Sequence, residues 1–206
     1  MPGLARSLPG VVLLLILGAC GPDEDRVEAI ETVTPSGAAR RSQPARVVQR
    51  MGSTEITIVY NRPVARGREL FGGIIPWDSL WNPGADEATR LELSEDITVA
   101  GQPLPAGRYS IWAIPGRDEW TLAFNRGWDV DHLTYREAKD ALRLRVRPHP
   151  ASHMESLAFY FPYAEVDSAM LALHWGETML PLPVRRPKTT GSPNARSPAD
   201  TSPGSG

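Results

Sequence analysis

Apolar and polar residues alternate with a period of two through most of the chain between residues 46 and 186. Ile56, Ile58 and Tyr60 are interleaved with Glu55, Thr57 and Val59, and Trp120, Leu122 and Phe124 with Thr121, Ala123 and Asn125. Leu142, Leu144 and Val146 alternate with Arg143, Arg145 and Arg147. The same spacing recurs at Leu157, Phe159 and Phe161 and at Leu171, Leu173 and Trp175. In an extended chain every second side chain lies on one face, so these segments predict strands with one face in a core. Further strands are predicted over 46–51, 89–94, 97–99, 108–114 and 179–184.

The punctuation fits that reading. Leu104-Pro105-Ala106-Gly107 has Pro and Gly where a type I turn prefers them, and Pro115-Gly116 and Trp175-Gly176 also read as turns. Pro181 and Pro183 lie two apart, so both missing N–H groups fall on one side, which predicts that 179–184 is an edge strand. The one helical candidate is 132–141. About ten short strands with frequent turns predict an all-β fold. The expected architecture is an antiparallel β-sandwich, with one long packed loop and at most one short helix.

The segments outside 46–186 have a different composition. Arg6, the apolar run Val11 to Leu17 and the small pair Gly18-Ala19 have the order of a secretory signal over 1–19. Leu17-Gly18-Ala19-Cys20 resembles the bacterial lipobox, in which the cysteine is acylated and becomes the mature N-terminus. The apolar run is about half the ~20 residues a spanning helix needs. The expectation is therefore a lipid anchor on Cys20, the only cysteine of the chain, followed by a flexible tether to residue 45. Gly21 rather than Asp after the cysteine implies, by the enteric sorting rule, an outer-membrane protein facing the periplasm. Residues 187–206 contain no large aliphatic or aromatic side chain and read as a disordered tail.

Charge and composition exclude several function classes. With 22 Lys+Arg against 24 Asp+Glu, the 206-residue chain has a formal net charge of −2, which gives no basic field for nucleic acid. One cysteine excludes an internal disulfide and a multi-cysteine metal site. His149 and His153 stand four apart, but Pro150 follows the first and no HExxH pattern exists, so no metal site is expected. No nucleophile elbow, P-loop or dinucleotide fingerprint occurs, and no cofactor is expected.

The remaining candidate chemistry sits in the long connection from Asn61 to Ala88. Leu70, Phe71, Ile74, Ile75, Trp77, Leu80 and Trp81 make it too apolar to be left in water. It should pack across one end of the sandwich, where loop-borne sites usually lie. Trp77 and Trp81 suit a stacking platform for a sugar ring or peptide, or else core residues that hold the loop down. Arg62, Arg68 and Glu87 suit polar orientation of a ligand, and Glu87 paired with Arg62 or Arg68 would pin the loop to the sheet. Asp86 and Glu87 are adjacent, so in extended chain they face opposite ways and form no dyad by themselves. The arginines 143, 145 and 147 read as a solvated strand face or an anion site.

The same region carries a family likeness. Tyr60-Asn61-Arg62-Pro63, Gly67-Arg68-Glu69-Leu70-Phe71-Gly72-Gly73, Ile75-Pro76-Trp77, Leu80-Trp81 and Gly84-Ala85-Asp86-Glu87-Ala88-Thr89 follow in order. Leu104-Pro105-Ala106-Gly107-Arg108-Tyr109-Ser110, Ile114-Pro115-Gly116 and Glu119-Trp120-Thr121 continue the series, as do Phe124-Asn125 and Asp140-Ala141-Leu142-Arg143. Together they resemble a bacterial family known as domain of unknown function 2911, over about residues 47–184. The family pattern Trp-Arg-Thr-Gly-Ala-Asn is replaced here by Trp81-Asn82-Pro83-Gly84-Ala85-Asp86. The resemblance implies an extracytoplasmic β-rich domain and brings no established activity.

The leading functional expectation is a lipid-anchored ligand-binding or interaction module of the bacterial envelope. Its small-molecule, glycan or protein ligand would meet Arg62, Arg68, Trp77, Trp81 and Glu87. The alternatives are an envelope hydrolase using Glu87 or Asp86 as base, and a structural envelope component docking through the strand 179–184.

Overall fold

The computed structural model describes residues 42–187. The predicted lipid attachment at Cys20, the signal segment, nearly all of the tether and the tail after Pro187 lie outside the described residues. Ten strands run in chain order: β1 Gln43–Met51, β2 Thr54–Arg62, β3 Arg90–Leu93, β4 Ile97–Val99, β5 Gln102–Leu104, β6 Gly107–Ile114, β7 Trp120–Asn125, β8 Asp140–Val146, β9 His149–Ala164 and β10 Ser168–Arg185. They form a six-stranded sheet, β1-β2-β3-β6-β7-β8, and a four-stranded sheet, β5-β4-β10-β9. Every pairing is antiparallel.

The alternation seen in the sequence is the origin of this sandwich. Ile56 and Ile58 on β2, Leu122 and Phe124 on β7, and Leu142 and Leu144 on β8 point into one core. From the other sheet Leu157, Phe159, Leu171, Leu173, Leu180 and Leu182 meet them. Arg145, on the opposite face of β8, is exposed. Tyr60 closes the core toward β9: its ring packs edge-on against Phe159 at 5.0 Å, and its hydroxyl accepts the Phe159 N–H at 3.0 Å. A smaller cluster on the far face of the large sheet buries Ala88, Trp112 and Ala123 beneath Val130 and Tyr135.

Three local expectations are corrected. Trp175-Gly176 is not a turn. β10 runs unbroken through both residues, and Gly176, at a φ of 59°, sits where the register with β9 shifts. A glycine inside a strand pattern can mark a bulge as well as a turn, and here it marks a bulge. Met179–Val184 is not an edge strand, because β10 lies between β4 and β9. The ladder to β9 ends at Met179 and the ladder to β4 begins at Val184, so both prolines fall in the stretch where β10 changes partner. The missing N–H groups are tolerated by that lapse in pairing. The helical candidate 132–141 contains one 3₁₀ turn, Glu137–Lys139, and Asp140 already starts β8. Asn125 and Tyr135 hold this segment through the Asp140 carboxylate, at 2.7 and 2.6 Å, which fixes irregular backbone in place of a helix.

Candidate functional site

The segment between β2 and β3 is ordered because two strands need backbone partners. β3 is only four residues long, so the part of β6 beyond Ser110 has no strand on that side. The long connection supplies the missing bonds. Ile111 donates to the Thr89 carbonyl, and its own carbonyl accepts from the Asn82 amide at 2.8 Å. Trp81 and Ala113 exchange both backbone bonds at 2.8 Å, and Asp78 N–H reaches the Pro115 carbonyl. At its start the connection is tied to the other sheet: Leu157 donates to Pro63 and Ala65 to Glu155. One segment thus spans both sheets at this end of the sandwich.

Asn82 is central to the fit. It is buried; its Nδ2 serves Ile111 and its Oδ1 accepts the Thr89 N–H at 3.1 Å. The Thr89 hydroxyl closes the same turn on the Pro83 carbonyl. Asp86 has a φ of 65°, a left-handed conformation in which Asn and Asp are the most accepted non-glycine residues. The Asn-to-Asp departure at this position therefore preserves the backbone requirement.

The aromatic side chains of the connection converge on two strands. Phe71 lies edge-on to Trp120 of β7 at 4.6 Å and to Trp175 of β10 at 6.3 Å. Trp81 stacks on Trp175 at 6.0 Å, and Trp77 stands 6.5 Å from Phe71. Two glycines permit this packing. A Cβ on Gly72, whose φ is 93°, would lie 2.3 Å from Trp77 Nε1, and one on Gly176 would lie 2.7 Å from Leu70 Cδ1. The Gly-rich motif around Phe71 is thus a close-packing device.

Along this cluster runs an open groove of about 380 Å³, lined by Arg68, Phe71, Trp77, Trp175, Glu177 and Thr178, with His153 at one side. The volume falls in the roughly 300–1,000 Å³ range of small-molecule sites. His153 Nε2 contacts Glu155 Oε2 at 2.9 Å, and Glu155 Oε1 accepts the Arg66 N–H at 2.7 Å. The hydrogen bond from His153, followed by that from the Arg66 backbone, holds the Glu155 carboxyl below the usual carboxylate range. The groove thus combines aromatic rings from the connection and β10 with polar side chains from the connection (Arg68), β9 (His153) and β10 (Glu177, Thr178).

Of the residues singled out in the sequence, Arg68 and Trp77 line this groove, and Trp81 backs it through Trp175. Arg62 donates Nε to the Leu157 carbonyl at 3.1 Å, and Arg68 donates to the Ala65 and Val64 carbonyls. The expected pairing of Glu87 with Arg62 or Arg68 gives way to an ion pair with Arg90 at 3.3 Å. Asp86 and Glu87 are exposed: the Asp86 carbonyl contacts His132 Nδ1, and Glu87 forms a backbone bridge with Asp131. The acids thus stand beside Arg90, Asp131 and His132 rather than among the groove residues. Phe71 and Trp175 are groove residues that were not singled out. The Trp175-Gly176 pair is the one sequence signal that could have pointed to β10.

A family model described as Protein of unknown function (DUF2911) matches residues 42–184, which is nearly the whole described unit. The chain belongs to that family. Among curated proteins and among solved structures there is no significant match. The matched span contains the DUF2911 residues on both sides of the groove, from Arg68 to Thr178, so the aromatic cluster lies inside the family domain.

Proposed function

We propose that this DUF2911 protein is a lipid-anchored, extracytoplasmic binding module of the bacterial envelope, and that it takes a saccharide in the Phe71–Trp77–Trp175 groove. The observation that carries the reading is the composition of that groove: the aromatic rings of Phe71, Trp77 and Trp175 together with Arg68, His153, Glu177 and Thr178. A sugar ring has an apolar C–H face and a polar equator, and a groove that offers aromatic rings beside charged and hydroxyl side chains can serve both. The envelope placement is supported by the lipobox-like Leu17-Gly18-Ala19-Cys20 behind a signal-type apolar run. The acyl chains on Cys20 would supply the membrane contact, and the outer membrane facing the periplasm is the proposed site.

The test is calorimetric titration of the full-length protein with cellotriose, maltotriose and chitotriose. Saturable binding of at least one trisaccharide, weakened tenfold or more by Trp77→Ala with the fold intact, supports the assignment. Equal binding by Trp77→Ala, or no binding of any of the three, contradicts it.

A further inference from the structure

Arg145 near the end of β8 and Arg147 just after it have a context that the aromatic groove does not use. We propose that the cleft between the C-terminal end of β8 and the outer face of β10 binds a single-chain anionic amphiphile, a fatty-acid carboxylate with its acyl chain along the cleft floor. The cleft has a volume of about 560 Å³. Its floor is Met170, Met179, Pro181 and Pro183. These positions alternate with the core residues Ala169, Leu171, Leu180, Leu182 and Val184, so they project away from the core. β10 thus has a second apolar stripe, and methionines are suited to conform to a flexible chain.

The rim decides the class of occupant. Arg145, Arg147 and His149 border the floor, and no Asp or Glu lines the cleft. Arg145 shares its charge with Glu119 at 3.3 Å, with both side chains largely solvated. Arg147 and His149 make no ion pair among the described residues. A cationic edge over an apolar floor is complementary to an anionic head on an alkyl chain, and not to a neutral glycan or a cationic peptide. It also gives the Arg145–Arg147 spacing a use beyond solvation, since both flank Val146 at the cleft wall.

The experiment titrates the full-length protein calorimetrically with laurate and with dodecyl maltoside, both below their micelle-forming concentrations. The two ligands share a twelve-carbon chain and differ in head charge. The expected result is saturable laurate binding, with dodecyl maltoside weaker by about tenfold or more. Arg147→Gln is expected to weaken laurate by roughly three- to tenfold and to leave the maltoside unchanged. Met179→Asp is expected to abolish laurate binding; should that variant melt early, Pro183→Asp at an exposed position replaces it. Trp77→Ala is expected to leave laurate binding intact, which separates this cleft from the saccharide groove. The proposal is overturned by absence of saturable laurate binding, by equal affinity for both amphiphiles, by full binding in the floor variants, or by binding to phosphatidylglycerol vesicles alone.

Discussion

The indoles of Trp81 and Trp175 stack with centroids 6.0 Å apart and planes 18° from parallel. One belongs to the long connection and the other to the centre of β10, so this pair joins the loop to the small sheet. Trp81 also stands 6.2 Å from Trp120 of the large sheet, edge-on. Truncating a buried aromatic typically costs about 3–5 kcal/mol, and half-buried Trp81 should fall near the low end. Trp81→Ala is therefore expected to lower unfolding free energy by about 3 kcal/mol in urea titrations, and to weaken saccharide binding through loss of support for Trp175.

Asn82 makes a sharper stability prediction. Its two side-chain bonds serve a buried carbonyl and a buried N–H. Asn82→Ala orphans both, at roughly 1–3 kcal/mol each. Chemical denaturation should show a loss on the order of 2–6 kcal/mol, and hydrogen exchange should accelerate at Thr89. A loss under about 0.5 kcal/mol would mean the loop is held by other bonds.

Gly72 links backbone geometry to the groove. Its φ is 93°, and a Cβ there would lie 2.3 Å from Trp77 Nε1, which leaves no room for a methyl group. Gly72→Ala is expected to cost about 1–2 kcal/mol from the left-handed conformation and to displace the Trp77 ring. Binding should fall more than stability, as read by titration beside a thermal melt. Retention of full affinity would show that Trp77 need not hold its present position.

Acid should loosen the same end of the sandwich. The folded-state pKa of Glu155 is depressed, first by His153 and then by the Arg66 N–H. A depressed carboxylate contributes stability above its unfolded value, about 4.3, and that contribution is lost as pH falls through the folded value. Melting temperature measured from pH 6 down to pH 3 should fall less steeply in Glu155→Gln than in the parent protein. Identical slopes would contradict this role.

The parts of the fold that sequence made legible are those with a single physical cause. Ile56, Ile58, Leu142 and Leu144 alternate because one face of each strand is buried, and that pattern is local. The apolar content of Leu70, Phe71 and Trp81 likewise announced a packed loop. Trp175 was not legible as a groove residue because its partners Phe71 and Trp81 lie about a hundred residues earlier, and Gly176 signals a bulge and a turn in the same way. Pro181 and Pro183 pointed to an edge strand, whereas they lie where β10 passes from its β9 ladder to its β4 ladder, because missing N–H groups show only that pairing lapses and not which strands flank the lapse. Glu87 pairs with Arg90 three residues away and not with Arg62 or Arg68, and a local ion pair of that kind depends on loop geometry that no periodicity encodes.

The central claim is that ligand meets the protein between the Phe71 loop and β10. Hydrogen–deuterium exchange of the full-length protein, with and without a bound trisaccharide, tests it most directly. The account predicts slowed exchange confined to residues 68–77 and 175–178. Slowed exchange centred instead on residues 86–90 and 129–132 would contradict it.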